Sequence, residues 1–118
     1  MVITTAGGKN AAEKREVGSA RAFKAIVGEG NVSVLHTLSR KVADSDEFTA
    51  PIDAADAVWM NGGEQARLAD TFLGTMTEKS FRALLDRGGV IGGASAGAQI
   101  QSSFMTRGIV RGDRILGD

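Results

Sequence analysis

Gly93-Ala94-Ser95-Ala96-Gly97 places a serine between small residues in a G-x-S-x-G pattern. This spacing suits a sharp strand-to-helix turn, where bulky neighbours would not fit and the hydroxyl stands clear of the backbone. Such a turn supports nucleophilic attack on a carbonyl. The Ala96 N–H, at the start of the following helix, would meet the oxyanion. A second donor is expected from Gly62-Gly63, within Asn61-Gly62-Gly63-Glu64-Gln65, where bare backbone approaches a reacting centre closely. Two other readings fit the same turn: small residues that serve packing alone, and a glycine-rich cradle for phosphate. Against the cradle, G-x-G-x-x-G and G-x-x-x-x-G-K-[ST] are both unmatched.

His36 is the single histidine. It is the one histidine base this sequence offers a serine mechanism, and it reads equally as a substrate-binding or merely packed residue. One histidine and no cysteine exclude a multi-histidine zinc site, thiolate chemistry and disulfides. Trp59 reads as core. Glu64 begins a helix and suits its dipole. Arg107, Arg111 and Arg114 either clamp an acidic substrate or belong to a solvated tail.

These residues need a frame that brings them together. Val2–Ala6, Val32–His36, Ala57–Met60 and Val90-Ile91 read as strands. Helical spacing is expected over Glu13–Val27, with Val17, Ala20, Ala22, Phe23, Ile26 and Val27 as its apolar residues. Further helices are expected over Glu64–Leu73, over Thr77–Arg87 with Phe81, Leu84 and Leu85 packed and Thr77 with Ser80 as the cap, and from Ala98 to Met105. Thr37–Thr49 reads as a polar loop with a short helix, and Pro51–Asp56 as a turn. Strands alternating with helices imply an α/β fold with a parallel sheet and helices on both faces. In such sheets ligands bind at the carboxyl ends of the strands, where His36, Asn61-Gly62-Gly63 and Ser95 all fall.

The 118 residues fit one domain, 1–118, without a visible internal boundary. The chain is 42% hydrophobic and 24% charged, which excludes a disordered tail. Fourteen basic and fourteen acidic residues give no net charge, so a nucleic-acid partner is not expected. No apolar run approaches the ~18 residues of a membrane span, and no leader-like apolar segment opens the chain, so the expected location is cytoplasmic. The glycines are many, at 16 against one proline, and mark tight turns at a site more than a linker.

Val58-Trp59-Met60-Asn61-Gly62-Gly63-Glu64-Gln65 with Leu68, and Leu84–Ala98 through Gly88-Gly89-Val90-Ile91-Gly92-Gly93-Ala94-Ser95-Ala96-Gly97, together resemble the cyanophycinase and aspartyl dipeptidase (peptidase E) family of serine peptidases. The resemblance implies a flavodoxin-like, class I glutamine amidotransferase-like α/β fold. It implies Ser95 as nucleophile, Gly62, Gly63 and Ala96 as the oxyanion hole, and Gln65 lining the substrate pocket. It implies small peptide substrates with acidic residues, and neither a metal nor an organic cofactor. Family members are about twice this length. Their first strand carries a glycine-rich loop, which reads as missing before Met1. Their general-base histidine lies in a later strand, and their acid lies beyond the serine, where Asp113 is the nearest residue. The chain therefore reads as a truncated part of a larger catalytic domain, with an inactive binding or assembly module as the alternative. A truncated sheet is expected to expose apolar surface on Val58, Trp59, Val90 and Ile91 and to favour self-association into homo-oligomers.

Overall fold

The computed structural model describes residues 1–13 and 18–105. Strands β1 (Val2–Ile3), β2 (Val34–Leu35), β3 (Ala57–Met60) and β4 (Val90–Gly93) form one parallel sheet in the order β2-β1-β3-β4. Helices α1 (Lys9–Glu13), α2 (Gly18–Val27), α3 (Arg40–Ala43), α4 (Asp46–Asp53), α5 (Gln65–Phe72), α6 (Met76–Asp86) and α7 (Ala96–Gln99) connect them. The expected α/β fold with a parallel sheet is the one observed.

Side chains alternate across the sheet, which assigns its two faces. Val58 and Met60 are buried on one face, and Ile3 is in register with Met60 there. The main core forms on this face with Phe48 and Ile52 of α4, Leu68 and Phe72 of α5, and Phe81 and Leu84 of α6. The Phe72 ring lies 6.3 Å from Phe48 and 5.8 Å from Phe81, the latter edge-on. Trp59 points to the opposite face and meets the Phe23 ring of α2 edge-on at 5.4 Å. Helices therefore cover both faces, but unequally.

That inequality accounts for several departures from the sequence reading. On α2, Ala20 is buried, but Ile26 and Val27 are exposed because no second described helix packs over them. Val90 of β4 is 64% exposed, as expected of an edge strand, and Trp59 is half-buried, whereas Val58 is fully covered by the core face. Leu85 faces solvent, unlike its neighbour Leu84.

Pro51 does not start a turn but lies inside α4. Ser45 Oγ accepts the Phe48 N–H at 3.3 Å, Asp46 and Glu47 suit the first turn, and buried Phe48, Thr49 and Ile52 hold the helix despite the N–H that proline lacks. Thr77 does not cap α6. Its hydroxyl donates to the buried Ala43 carbonyl at 2.7 Å, while Asp44 Oδ1 accepts the Met76 N–H at 2.8 Å. The last helix among the described residues is one turn long and begins at Ala96, two residues earlier than expected, because the chain turns into it directly from Ser95. No helix among the described residues is long and apolar enough to cross a membrane.

Candidate active site

Ser95 follows β4 and precedes α7, with φ 52° and ψ −114°. It is the one non-glycine residue among those described with a positive φ. Holding a serine there costs about 1–3 kcal/mol. The Gly97 position allows the turn, because a side chain at this residue would collide with the Met60 carbonyl. Ser95 is exposed and its hydroxyl does not cap α7.

Gly62 lies directly beside it. A methyl group on Gly62 would sit 3.3 Å from Ser95 Cβ and 4.0 Å from its Oγ. Adjacent parallel strands produce this meeting: β3 and β4 pair through Met60 and Gly93, and the Ala94 N–H donates to the Met60 carbonyl at 3.1 Å. Gly63, at φ 144°, turns instead against the β1 loop, and a side chain there would strike the Ala6 carbonyl.

The amides around Ser95 separate into engaged and unengaged groups. The Asn61 N–H donates to the Ile3 carbonyl and the Glu64 N–H to the Ala6 carbonyl, both at 2.9 Å. Between them, the Gly62 and Gly63 N–H groups have no backbone acceptor among the described residues. Ala96 opens α7, so its N–H has no helical acceptor either, whereas the Ala98 and Gln99 amides donate to the Ser95 carbonyl. N–H donors without a backbone acceptor among the described residues, on both sides of an exposed serine, are the arrangement that an oxyanion requires.

His36 lies elsewhere. It follows β2, and two strands separate β2 from β4. Three strand spacings make about 14 Å, beyond direct proton transfer to Ser95. Its Nδ1 is 2.9 Å from Thr4 Oγ1, a buried hydroxyl beyond the end of β1. Burial pushes the imidazole below its ordinary value, and a hydrogen bond to Thr4 opposes this. His36 is therefore placed at the carboxyl-end edge of the sheet but not beside the serine.

Gln65 is the first residue of α5 and half-buried. Asp113 and the arginines at 107, 111 and 114 lie outside the described residues. The described residues contain no group of three or more His, Asp or Glu able to hold a metal.

Gly7-Gly8 follows β1, which is a central strand, and this loop abuts Gly63. Sequence reasoning missed Arg67, whose Nη1 donates to the Ala6 carbonyl at 2.9 Å and whose Nη2 pairs with Glu64 Oε1 at 2.8 Å. The i,i+3 spacing of Glu64 and Arg67 was the available signal.

Fold and site together define an α/β protein with an exposed serine on a strained strand-to-helix elbow. The chain belongs to peptidase family S51, whose family profile matches residues 5–113. Among solved structures it is similar to a peptidase from an acI-B1 actinobacterium, at 24% identity and a TM-score of 0.61. That match covers 90% of this chain and 44% of the other, so the chain spans under half the length of that relative. No curated protein matches it.

Proposed function

We propose that this protein is a serine peptidase in which Ser95 is the nucleophile and the Gly62, Gly63 and Ala96 amides receive the oxyanion. The single observation that carries this reading is the strained Ser95, at φ 52°, facing Gly62 across 3.3 Å measured to a built methyl position. Strain at a non-glycine residue persists where the surrounding structure holds it in place, and it clusters at functional sites. In the proposed reaction Ser95 Oγ bonds to the scissile carbonyl carbon and its proton passes to a base. The carbonyl oxygen takes the negative charge between the two sets of amides. Breakdown then expels the amine, which takes up a proton, and water releases the acyl group.

The base in this scheme is not His36, whose strand is separated from β4 by two others. Family resemblance points to peptide bonds beside acidic residues as the substrate class, with Gln65 lining the pocket. Asp113 stays the candidate acid on resemblance alone. The test is hydrolysis of aspartyl dipeptides and of β-linked Asp–Arg dipeptides by wild type, Ser95→Ala and His36→Ala. Turnover that disappears in Ser95→Ala and persists within a few-fold in His36→Ala supports the reading. Equal turnover by wild type and Ser95→Ala overturns it. A chain that binds these dipeptides without any turnover favours the second reading, a binding module on the same fold, which the distance from His36 to Ser95 also favours.

A further inference from the structure

The Ala6 carbonyl is the point where the two glycine loops meet. It accepts the Glu64 N–H at 2.9 Å and Arg67 Nη1 at 2.9 Å. Arg67 Nη2 closes the ring through Glu64 Oε1 at 2.8 Å. The guanidinium rests against Gly8, at φ 69°, where a methyl group would lie 2.8 Å from Arg67 Cζ. Arg67 therefore spans from α5 across to the loop after β1, and Glu64, which it holds, is the residue that follows Gly63.

Arg67 and Glu64 are each about one-third exposed, and a pair of that kind contributes little to stability. Its geometry does something more specific. The Glu64 N–H belongs to the Gly63–Glu64 peptide, so fixing the Ala6 carbonyl anchors one end of the Gly62-Gly63 segment, as the Asn61 bond to the Ile3 carbonyl anchors the other, and together they restrict the directions its two amides can take. Arg67 also pairs the Glu64 carboxylate, a negative charge next to amides that would receive an oxyanion. Only a planar fork serves both partners at once.

We propose that Arg67 is a positioning residue for the Gly62-Gly63 amides, acting through the Ala6 carbonyl and the Glu64 carboxylate. The inference rests on the reading of Ser95 as nucleophile for its catalytic consequence, but the placement of the amides is independent of it. Losing an oxyanion donor outright costs roughly 10²–10³ in turnover, so misdirecting one is expected to cost about 10–100-fold.

The experiment compares wild type, Arg67→Met, Arg67→Lys and Gly8→Ala as full chains. The first readout is the heteronuclear NOE of the Gly62 and Gly63 amides. The second is binding of an aspartyl boronic acid, which becomes a tetrahedral anion on Ser95, against binding of N-acetylaspartate, which does not. Arg67→Met is expected to lower the order of both amides and to weaken the boronic acid about 10–100-fold, with N-acetylaspartate within twofold. Arg67→Lys restores part of the loss, and Gly8→Ala, which displaces the guanidinium, reproduces it. Unchanged amide order in Arg67→Met overturns the proposal, as does weakening of both ligands in step with a fall in Tm. A wild type that binds no boronic acid defeats the reading of Ser95 instead. The amide order then decides the positioning role alone.

Discussion

Gly62 and Gly63 are neighbours with different duties, and replacing each by alanine separates them. At Gly63 the backbone has φ 144° and an added methyl group meets the Ala6 carbonyl and the Gly7 nitrogen. Both obstacles are backbone, held by the Glu64 and Arg67 hydrogen bonds, so neither yields easily. Left-handed strain of about 1–3 kcal/mol and overpacking of about 1–3 kcal/mol sum to about 2–6 kcal/mol. For a domain near this size each kcal/mol moves Tm by about 4–8 °C, so Gly63→Ala should melt at least about 8 °C lower. At Gly62 φ is not positive, and the nearest atoms are Ser95 Cβ at 3.3 Å and the Ala94 carbonyl oxygen at 3.4 Å. A shift of a few tenths of an ångström accommodates a methyl group there, at a cost near the low end of overpacking, about 1 kcal/mol. That methyl group would nevertheless stand beside the serine hydroxyl, where a carbonyl must enter. Misplacement of this size costs about 10²-fold in kcat/KM. Thermal melts and dipeptide hydrolysis on both variants provide the assay. Equal Tm losses, or a Gly63→Ala variant as stable as wild type, would refute the reasoning.

Other expectations concern the core, the open edge and pH. Leu84→Ala removes a side chain with 0% exposure and should cost about 2–5 kcal/mol, whereas Leu85→Ala, at a residue 53% exposed, should stay within about 0.5 kcal/mol in denaturant unfolding. Val90→Lys places a charge on the exposed edge strand and should reduce concentration-dependent self-association in sedimentation; unchanged association would exclude this edge as its route. Burial lowers the His36 pKa, so the unfolded chain takes up the proton first as pH falls. Stability should therefore decline as pH drops through the ordinary histidine range near 6.5, and His36→Gln should flatten that decline. A wild type that gains stability over that range would reverse the assignment.

The parts of this fold that were legible are those written locally. Ala57–Met60 is a short apolar stretch that forms β3 as read, and Val90-Ile91 opens β4, which runs on through the two glycines read as the start of the turn. The serine turn was legible because only small residues tolerate it. α4 was not, because Pro51 signals a break, and only the burial of Phe48 and Ile52 against the sheet overrides that signal. The exposure of Ile26 and Val27 was hidden too: amphipathic spacing says which side is apolar, not whether anything covers it. The Arg67 clamp and the Thr4–His36 contact depend on strands far apart in sequence lying side by side, β1 with β3 and β1 with β2. No local pattern states such adjacency. His36 illustrates the limit, since a position at the correct edge of a sheet does not fix its distance along that edge.

The most direct test of Ser95 as the nucleophile is a crystal structure of the chain with an aspartyl boronic acid. The expected result is boron bonded to Ser95 Oγ, with one boronate oxygen about 2.7–3.1 Å from the Ala96 amide and from a Gly62 or Gly63 amide. A boronate bound elsewhere, or one bonded to Ser95 with its oxygens turned away from these amides, would contradict the account.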